Sequence, residues 1–210
     1  MKEREKNTSR KLVLYFSIIM SSLLILLNVF RWELVEVLTV FLQPFLELII
    51  GVAFLVILTW SVIYFIKNIY KMKYKAVLPL VINLITIVIV FFVPFTSIII
   101  SLDFNLNLED REKIISMVQS GELKSESLYG YNLIQLPEEY KHLSKGGGEI
   151  FIEKDGDTLK IFFYTFRGIL DNFSGFAYIS DNSELSQTDF NGDFDQIIKK
   201  REHWFWGGSR

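Results

Sequence analysis

The sequence predicts a membrane protein of mixed class: three transmembrane helices followed by a small α+β domain, one helix plus a mostly antiparallel sheet. Three observations lead there. The first hundred residues hold three apolar runs about as long as a bilayer core is thick. The charge changes sign between the halves, with ten Lys and Arg against five Asp and Glu in 1–100 and twelve against nineteen in 101–210. From Tyr129 onward the hydrophobic period becomes two, the period of a strand. A composition that is 50% apolar, with 19 Phe among 210 residues, fits a chain divided between lipid and water. The expected division is 1–103 as the membrane anchor and 104–210 as the second domain.

The first run, Leu12–Phe30, is free of charge and follows Lys2, Arg4, Lys6, Arg10 and Lys11. No small-x-small site follows it, so it reads as an uncleaved anchor rather than a signal peptide. The second apolar region, Val37–Ile66, is interrupted by Gln43, Pro44 and Glu47. Dividing it at the proline gives a span over 46–66, preceded by a short interfacial helix carrying Leu34, Val35, Leu38, Phe41 and Leu42. One long tilted helix is the competing reading. The third span is Ala76–Ile100, with Asn83 inside and a kink expected at Pro94. Asn83 is read as a helix–helix hydrogen bond, and Ser17 with Ser21 as a small-xxx-small contact. One amide and one marginal carboxylate give little polar lining for an ion path.

Orientation follows from the flanks. Five Lys and Arg precede the first span, Arg31 alone lies between the first and second, and Lys67, Lys71, Lys73 and Lys75 lie between the second and third. Positive-inside asymmetry then places the N-terminus in the cytoplasm and residues 101–210 outside, in a multi-pass protein of the cell membrane. The lipid bilayer is the first expected partner, with a protein partner or a second copy of the chain as another. The acidic second half opposes phosphate backbones, so nucleic acid is not expected. With no Cys there is no disulfide, no thiolate metal site, no cysteine nucleophile and no lipoprotein anchor.

In the second half, Asn107 as N-cap and Gly121 as C-cap bound a helix whose stripe is Leu108, Ile114, Ile115 and Val118. Strands are expected over 129–136, 149–154, 157–166, 175–180, 194–199 and 203–206. The Asp155-Gly156 pair predicts a type I′ hairpin in which Lys154 faces Asp157, Ile152 faces Leu159 and Ile150 faces Ile161. The opposite face, with Phe151 and Phe162, is open to solvent or to a second layer such as the 108–120 helix.

Each motif with chemical potential has a plain alternative. Ser144-Lys-Gly-Gly-Gly148 lacks the following helix and the Gly-Lys-Ser/Thr ending of a phosphate loop, and reads as a flexible turn. Ser144 beside Lys145 lacks a third group to make a dyad. Asp189, Asn191, Asp193 and Asp195 alternate like a calcium loop, but the glycine is misplaced and Lys200 stands where a bidentate Glu is needed. His142 and His203 are too few for a three-histidine zinc site. No cofactor and no metal is expected. Arg167, Asp171, Asn172 and Asp181 bracket the loop after the long strand and the strand that follows. They are the candidate partner-binding residues, since an Arg–Asp pair could grip a carboxylate or a peptide backbone. The alternative is an internal salt bridge with Asx turns.

Leu136-Pro-x-x-Tyr140-x-x-Leu143-Ser, the glycine turn, Phe166-Arg-Gly, Asp171-Asn, Gly175-x-x-Tyr178-x-Ser-Asp181 and His203-Trp204 together resemble a family of small bacterial membrane-anchored proteins with no known activity. The resemblance covers roughly 107–208. It implies a bacterial source and a single domain unit, and transfers no catalytic residue. The leading expectation for function is a non-catalytic extracytoplasmic interaction or sensing module. An envelope-facing enzyme and a small subunit of a transport or secretion complex are the alternatives. A deep pocket holding His203 or Asp171 would favour the enzyme.

Overall fold

The computed structural model describes residues 2–72, 74–124, 133–168 and 172–209. The chain forms two compact units, Met1–Ile99 and Ile100–Arg210.

The first unit is built from α1 (Lys2–Val29), α2 (Arg31–Met72) and α3 (Tyr74–Phe92). All three are long and apolar enough to cross a bilayer. Each packs on the other two. The unit is inside-out by the standard of a water-soluble bundle. Leu12, Ile19, Leu23 and Leu26 of α1, Leu48, Val52, Leu55 and Val56 of α2 and Leu84, Ile85 and Val88 of α3 are exposed, while Ser17, Ser21, Ser61, Asn83 and Thr86 are buried. The expected role of Asn83 is what the structure shows. Its amide nitrogen donates to Ser17 Oγ at 3.2 Å and Ser61 Oγ at 3.1 Å, and its oxygen accepts from Ser21 Oγ at 3.4 Å. One side chain thus ties three helices together, with every polar atom of the group turned away from the apolar exterior.

Two expectations about the helices are corrected. The second helix is not divided at Pro44. The backbone leaves helical geometry at Thr39 (φ 70°, ψ 160°) and stays helical through the proline. A proline ring crowds the preceding turn and removes a hydrogen bond to it, so the break falls on its N-terminal side. The 34–42 segment is therefore not a separate helix ending before Pro44. Arg31 Nε meets Glu47 Oε1 at 2.9 Å, and Gln43 also hydrogen-bonds that carboxylate. The third apolar run is not one kinked helix, because α3 stops at Phe92 and α4 (Phe95–Leu106) starts after Pro94. The residue before a proline is pushed out of helical space, and the Pro94 carbonyl then accepts Ile98 N–H at 3.1 Å to open the new helix.

The second unit contains α5 (Leu108–Ser120) and six strands: β1 (Leu133–Gln135), β2 (Glu149–Asp155), β3 (Thr158–Arg167), β4 (Phe173–Ile179), β5 (Gln196–Arg201) and β6 (Trp204–Gly208). All pairings are antiparallel, in the order β1-β2-β3-β4-β6-β5. This is the α+β class expected. Of the strand expected over 129–136, residues 129–132 lie outside the described residues and 133–135 form β1. At α5, Asn107 and Gly121 take the two cap positions, but the Asn107 amide turns back to Asp103 Oδ1 (2.6 Å) instead of capping the helix.

The hairpin register differs from the expected one by two residues. Asp155 pairs with Thr158, Ile152 with Ile161 and Ile150 with Phe163. The two-residue loop is Gly156-Asp157, with Gly156 at φ +59° and Asp157 not at positive φ. Glycine in the first loop position is the sequence of a type II′ turn, whereas type I′ would need positive φ at both. The observed register sets Glu153 against Lys160 and Phe151 against Phe162, two favourable cross-strand pairs. A shift of two keeps every side chain on its face. Ile150, Ile152, Leu159, Ile161 and Phe163 accordingly share one core with Ile100 and Phe104 of α4, Ile114 and Ile115 of α5, Trp204 and Trp206.

The helix does not cover the other face, contrary to one reading of the sequence. That face carries Phe162, Tyr164, Phe173, Ala177 and Phe205, and it is closed by Leu185, Phe190 and Phe194 from the long connection between β4 and β5. Phe162 sits at its centre, with ring centroids of Tyr164, Phe173, Phe190 and Phe194 between 5.0 and 5.7 Å away. The sheet is thus the middle of three layers, which explains the continuous apolar runs of β3 and β4.

Candidate functional site

The candidate binding residues do not come together. Arg167 ends β3, where its guanidinium meets Glu149 Oε2 at 2.7 Å and lies 5.0 Å from the Tyr164 ring centroid. Asn172 is exposed, and its carbonyl accepts the Gly168 N–H at 2.8 Å, closing the β3–β4 connection. Asp171 lies outside the described residues. Asp181 belongs to the opposite end of the sheet. It accepts the Thr158 hydroxyl at 2.6 Å at the start of β3, and Ser183 N–H and Oγ at 2.9 and 2.5 Å. Nine strand steps, about 30 Å, separate Thr158 from Arg167. Arg167 and Asn172 therefore lie at one end of the sheet and Asp181 at the other. The ion pair made by Arg167 is with Glu149, across β2 and β3. The hydroxyl of Ser183, then that of Thr158, hold the Asp181 carboxyl down to about 2, from 3.8.

The other motifs are absorbed in the same way. Ser144 is buried, donating to the Glu149 carbonyl and accepting Tyr164 N–H at 3.0 Å, so it clips β2 to β3 instead of facing a substrate. Gly146, Gly147 and Gly148 all lie at positive φ in a turn closed by Gly148 N–H to the Ser144 carbonyl at 3.1 Å, a specified turn and not a loose one. Asp189 is held by Lys160 Nζ at 2.7 Å and accepts Ser186 N–H at 2.8 Å, while the Phe190 and Phe194 between the acidic residues enter the core. Among the described residues, no three His, Asp or Glu gather as a metal site would require. His203 points Nδ1 at the carbonyls of Ile179 (2.9 Å) and Asp181 (2.8 Å), not at a carboxylate. Leu136, Leu143 and Ser144 are buried. At Gly175 a Cβ would stand 2.2 Å from the Phe163 carbonyl oxygen.

One polar residue that sequence reading missed is Arg111 of α5. It is 1% exposed, with Nη2 2.7 Å from Asp103 Oδ2, Nη1 3.1 Å from the Asp103 carbonyl, and the guanidinium carbon 4.5 Å from the Phe176 ring centroid. Its Nε has no hydrogen-bond partner. Burial pulls its pKa down from the ordinary value and Asp103 pulls it up, the burial effect being larger. The signal was the spacing: Leu108, Arg111, Ile115 and Val118 form one i, i+3, i+7, i+10 stripe.

A groove of about 540 Å³ lies where α5 ends against the sheet edge. The left-handed Gly121 turns the chain, and Leu123 N–H returns to the Met117 carbonyl at 3.1 Å. Val118, Leu123, Ile134 and Ile152 line it together with Gln119 and Ser120 at the helix end and with Lys124 and Lys154. Neither lysine pairs with a carboxylate among the described residues. His203, whose presence would have favoured an enzyme, is not among the lining residues, and Asp171 lies outside the described residues. Volume and lining fit capture of an apolar group beside a negative charge. Compared with protein-family models, curated proteins and solved structures, the chain matches none.

Proposed function

We propose that this chain is a multi-pass protein of the cell membrane that presents an extracytoplasmic, non-catalytic interaction module, and that the groove at the end of α5 takes an acidic, apolar segment of a protein partner. The observation that carries the reading is the groove itself: Ile134 and Ile152 line it together with two lysines that meet no carboxylate among the described residues. A pocket built for chemistry would converge reactive groups, and this one converges apolar surface and positive charge. The placement outside rests on the basic residues, five, one and four across the three short flanks. Kinship with small bacterial membrane-anchored proteins belongs to the same proposal.

Two experiments test it. The absence of Cys allows single cysteines at Ser9 and Ser186, both exposed. On intact cells an impermeant maleimide should label S186C and not S9C, and the reverse result inverts the topology. A photo-crosslinking residue at Leu123 should give a defined adduct in native membranes that K124E/K154E removes, while the same probe at Glu202 gives none. Equal adducts at both positions refute the groove.

A further inference from the structure

A second cleft, of about 180 Å³, lies wholly within the first unit, between the beginnings of α1 and α3. Arg10 and Leu14 line it from α1, and Tyr74, Lys75, Leu78 and Pro79 from α3. On each helix the polar residue and the apolar one are four apart, so they lie on one face, one turn or about 5 Å apart. Arg10 and Lys75 therefore mark one end of the cleft, and Leu14, Leu78 and Pro79 the other. Neither cation meets a carboxylate among the described residues; Lys75 Nζ lies 5.9 Å from the Tyr74 ring centroid. Leu78 and Tyr74 are 50% and 75% exposed, so the cleft opens sideways onto the apolar exterior of the bundle. Pro79 adds no backbone N–H to the apolar end.

A cleft with two cations that meet no carboxylate among the described residues at one end, hydrocarbon at the other and a lateral opening has the polarity of an amphiphile with an anionic head. A sealed polar hole would suit a free ion, and a wholly apolar one would suit a neutral tail. We infer that this cleft binds an anionic phospholipid, its phosphate between Arg10 and Lys75 and its first methylenes along Leu14, Leu78 and Pro79. The inference rests on the reading that the first unit lies in a bilayer. The basic end of the unit is also the end at which an anionic inner leaflet would be met.

The test uses the full chain, purified in mild detergent and titrated with phosphatidylglycerol, phosphatidylcholine or inorganic phosphate while bound lipid is counted by native mass spectrometry. One phosphatidylglycerol per chain should be retained in preference to phosphatidylcholine. R10Q/K75Q should weaken it about thirtyfold, counting the usual surface contribution of two cations. K11Q/K67Q, which removes two charges outside the cleft, should leave it unchanged. L78W, which fills the apolar end and keeps both charges, should also lose the lipid, and this variant decides the matter if R10Q/K75Q fails to insert. Equal losses in K11Q/K67Q and R10Q/K75Q, or retention in L78W, overturn the site. Displacement of the lipid by millimolar inorganic phosphate would assign the cleft to the free ion and overturn the lipid. A chain that resists alkaline extraction from membranes yet shows no preference for phosphatidylglycerol refutes the site alone. A chain released by alkali refutes the bilayer reading as well.

Discussion

The Arg111–Asp103 pair gives a prediction in which the two halves of one salt bridge have unequal worth. Arg111 is 1% exposed, whereas the Asp103 side chain is 35% exposed. Asp103→Ala leaves a guanidinium in the core between α4, α5 and the sheet, with the backbone carbonyl at 103 and the Phe176 and Phe163 rings beside it. Removing one partner of a buried pair costs about 3–5 kcal/mol, and the lower end applies here because water reaches the aspartate side. Arg111→Met keeps the aliphatic volume and removes the charge that had to be desolvated. Asp103 retains the Asn107 amide at 2.6 Å and its solvent, so the cost is about 0–1 kcal/mol. Hydrogen exchange on the full chain in lipid nanodiscs, read over residues 150–163, reports the opening free energy of this core. Asp103→Ala should lower protection there on the order of a hundredfold, and Arg111→Met by less than about fivefold. Protection lost equally in both, or more in Arg111→Met, refutes the claim that desolvation of Arg111 dominates the pair.

Asn83→Ala removes one amide and leaves three serine hydroxyls without it; at roughly 0.6 kcal/mol per membrane hydrogen bond the loss is about 1–2 kcal/mol, visible as unfolding at lower SDS fraction. Gly175→Ala forces a Cβ against the Phe163 carbonyl and the Phe162 ring, 2.2 and 2.5 Å away, so β3 and β4 must separate; proteolysis within 150–208 should become rapid, and a resistant variant disproves the close approach. The depressed carboxyl of Asp181 means that the unfolded chain binds a proton first as pH falls. Its contribution is therefore complete above about pH 4 and lost as pH drops toward 2, from 3.8 in the free group to about 2 in the folded one. Asp181→Asn should flatten the acid limb of the stability curve in that window, and an unchanged limb removes Asp181 from the account.

The membrane half was legible because lipid permits few solutions: long uncharged runs become helices, and an asparagine among them finds partners. What composition could not show was where proline acts. At Pro44 the effect appears five residues earlier, at Thr39, and at Pro94 it ends one helix and begins another. In the second unit strand identity was legible from the period of two, and the core face with it, because any even slip preserves facing. The slip itself arose because Gly156 suits either loop position, and the choice fell to Glu153 with Lys160 and Phe151 with Phe162 across the strands. Of the candidate site only the chain order was legible: Arg167 and Asp181 are fourteen positions apart and flank β4, and the antiparallel sheet sends them to opposite ends. The groove joins α5 to β1 and β2, a juxtaposition no local pattern encodes.

The strand order has a consequence for how the protein is made. β6, the last strand in chain order, lies between β4 and β5, and β5 touches the sheet only through it. A chain emerging from the ribosome N-terminus first has β1 to β4 available early, but β5 arrives with no strand to join. Until Trp204–Gly208 follows, β4 keeps an open edge, and Trp204 and Trp206 are missing from one core and Phe205 from the other. Both sides of the sheet therefore close in a single late event. During that interval the nascent domain is a half-sheet with bare flanks, open to chaperones, proteases and the wrong strand, and what ends the exposure is the delivery of five residues.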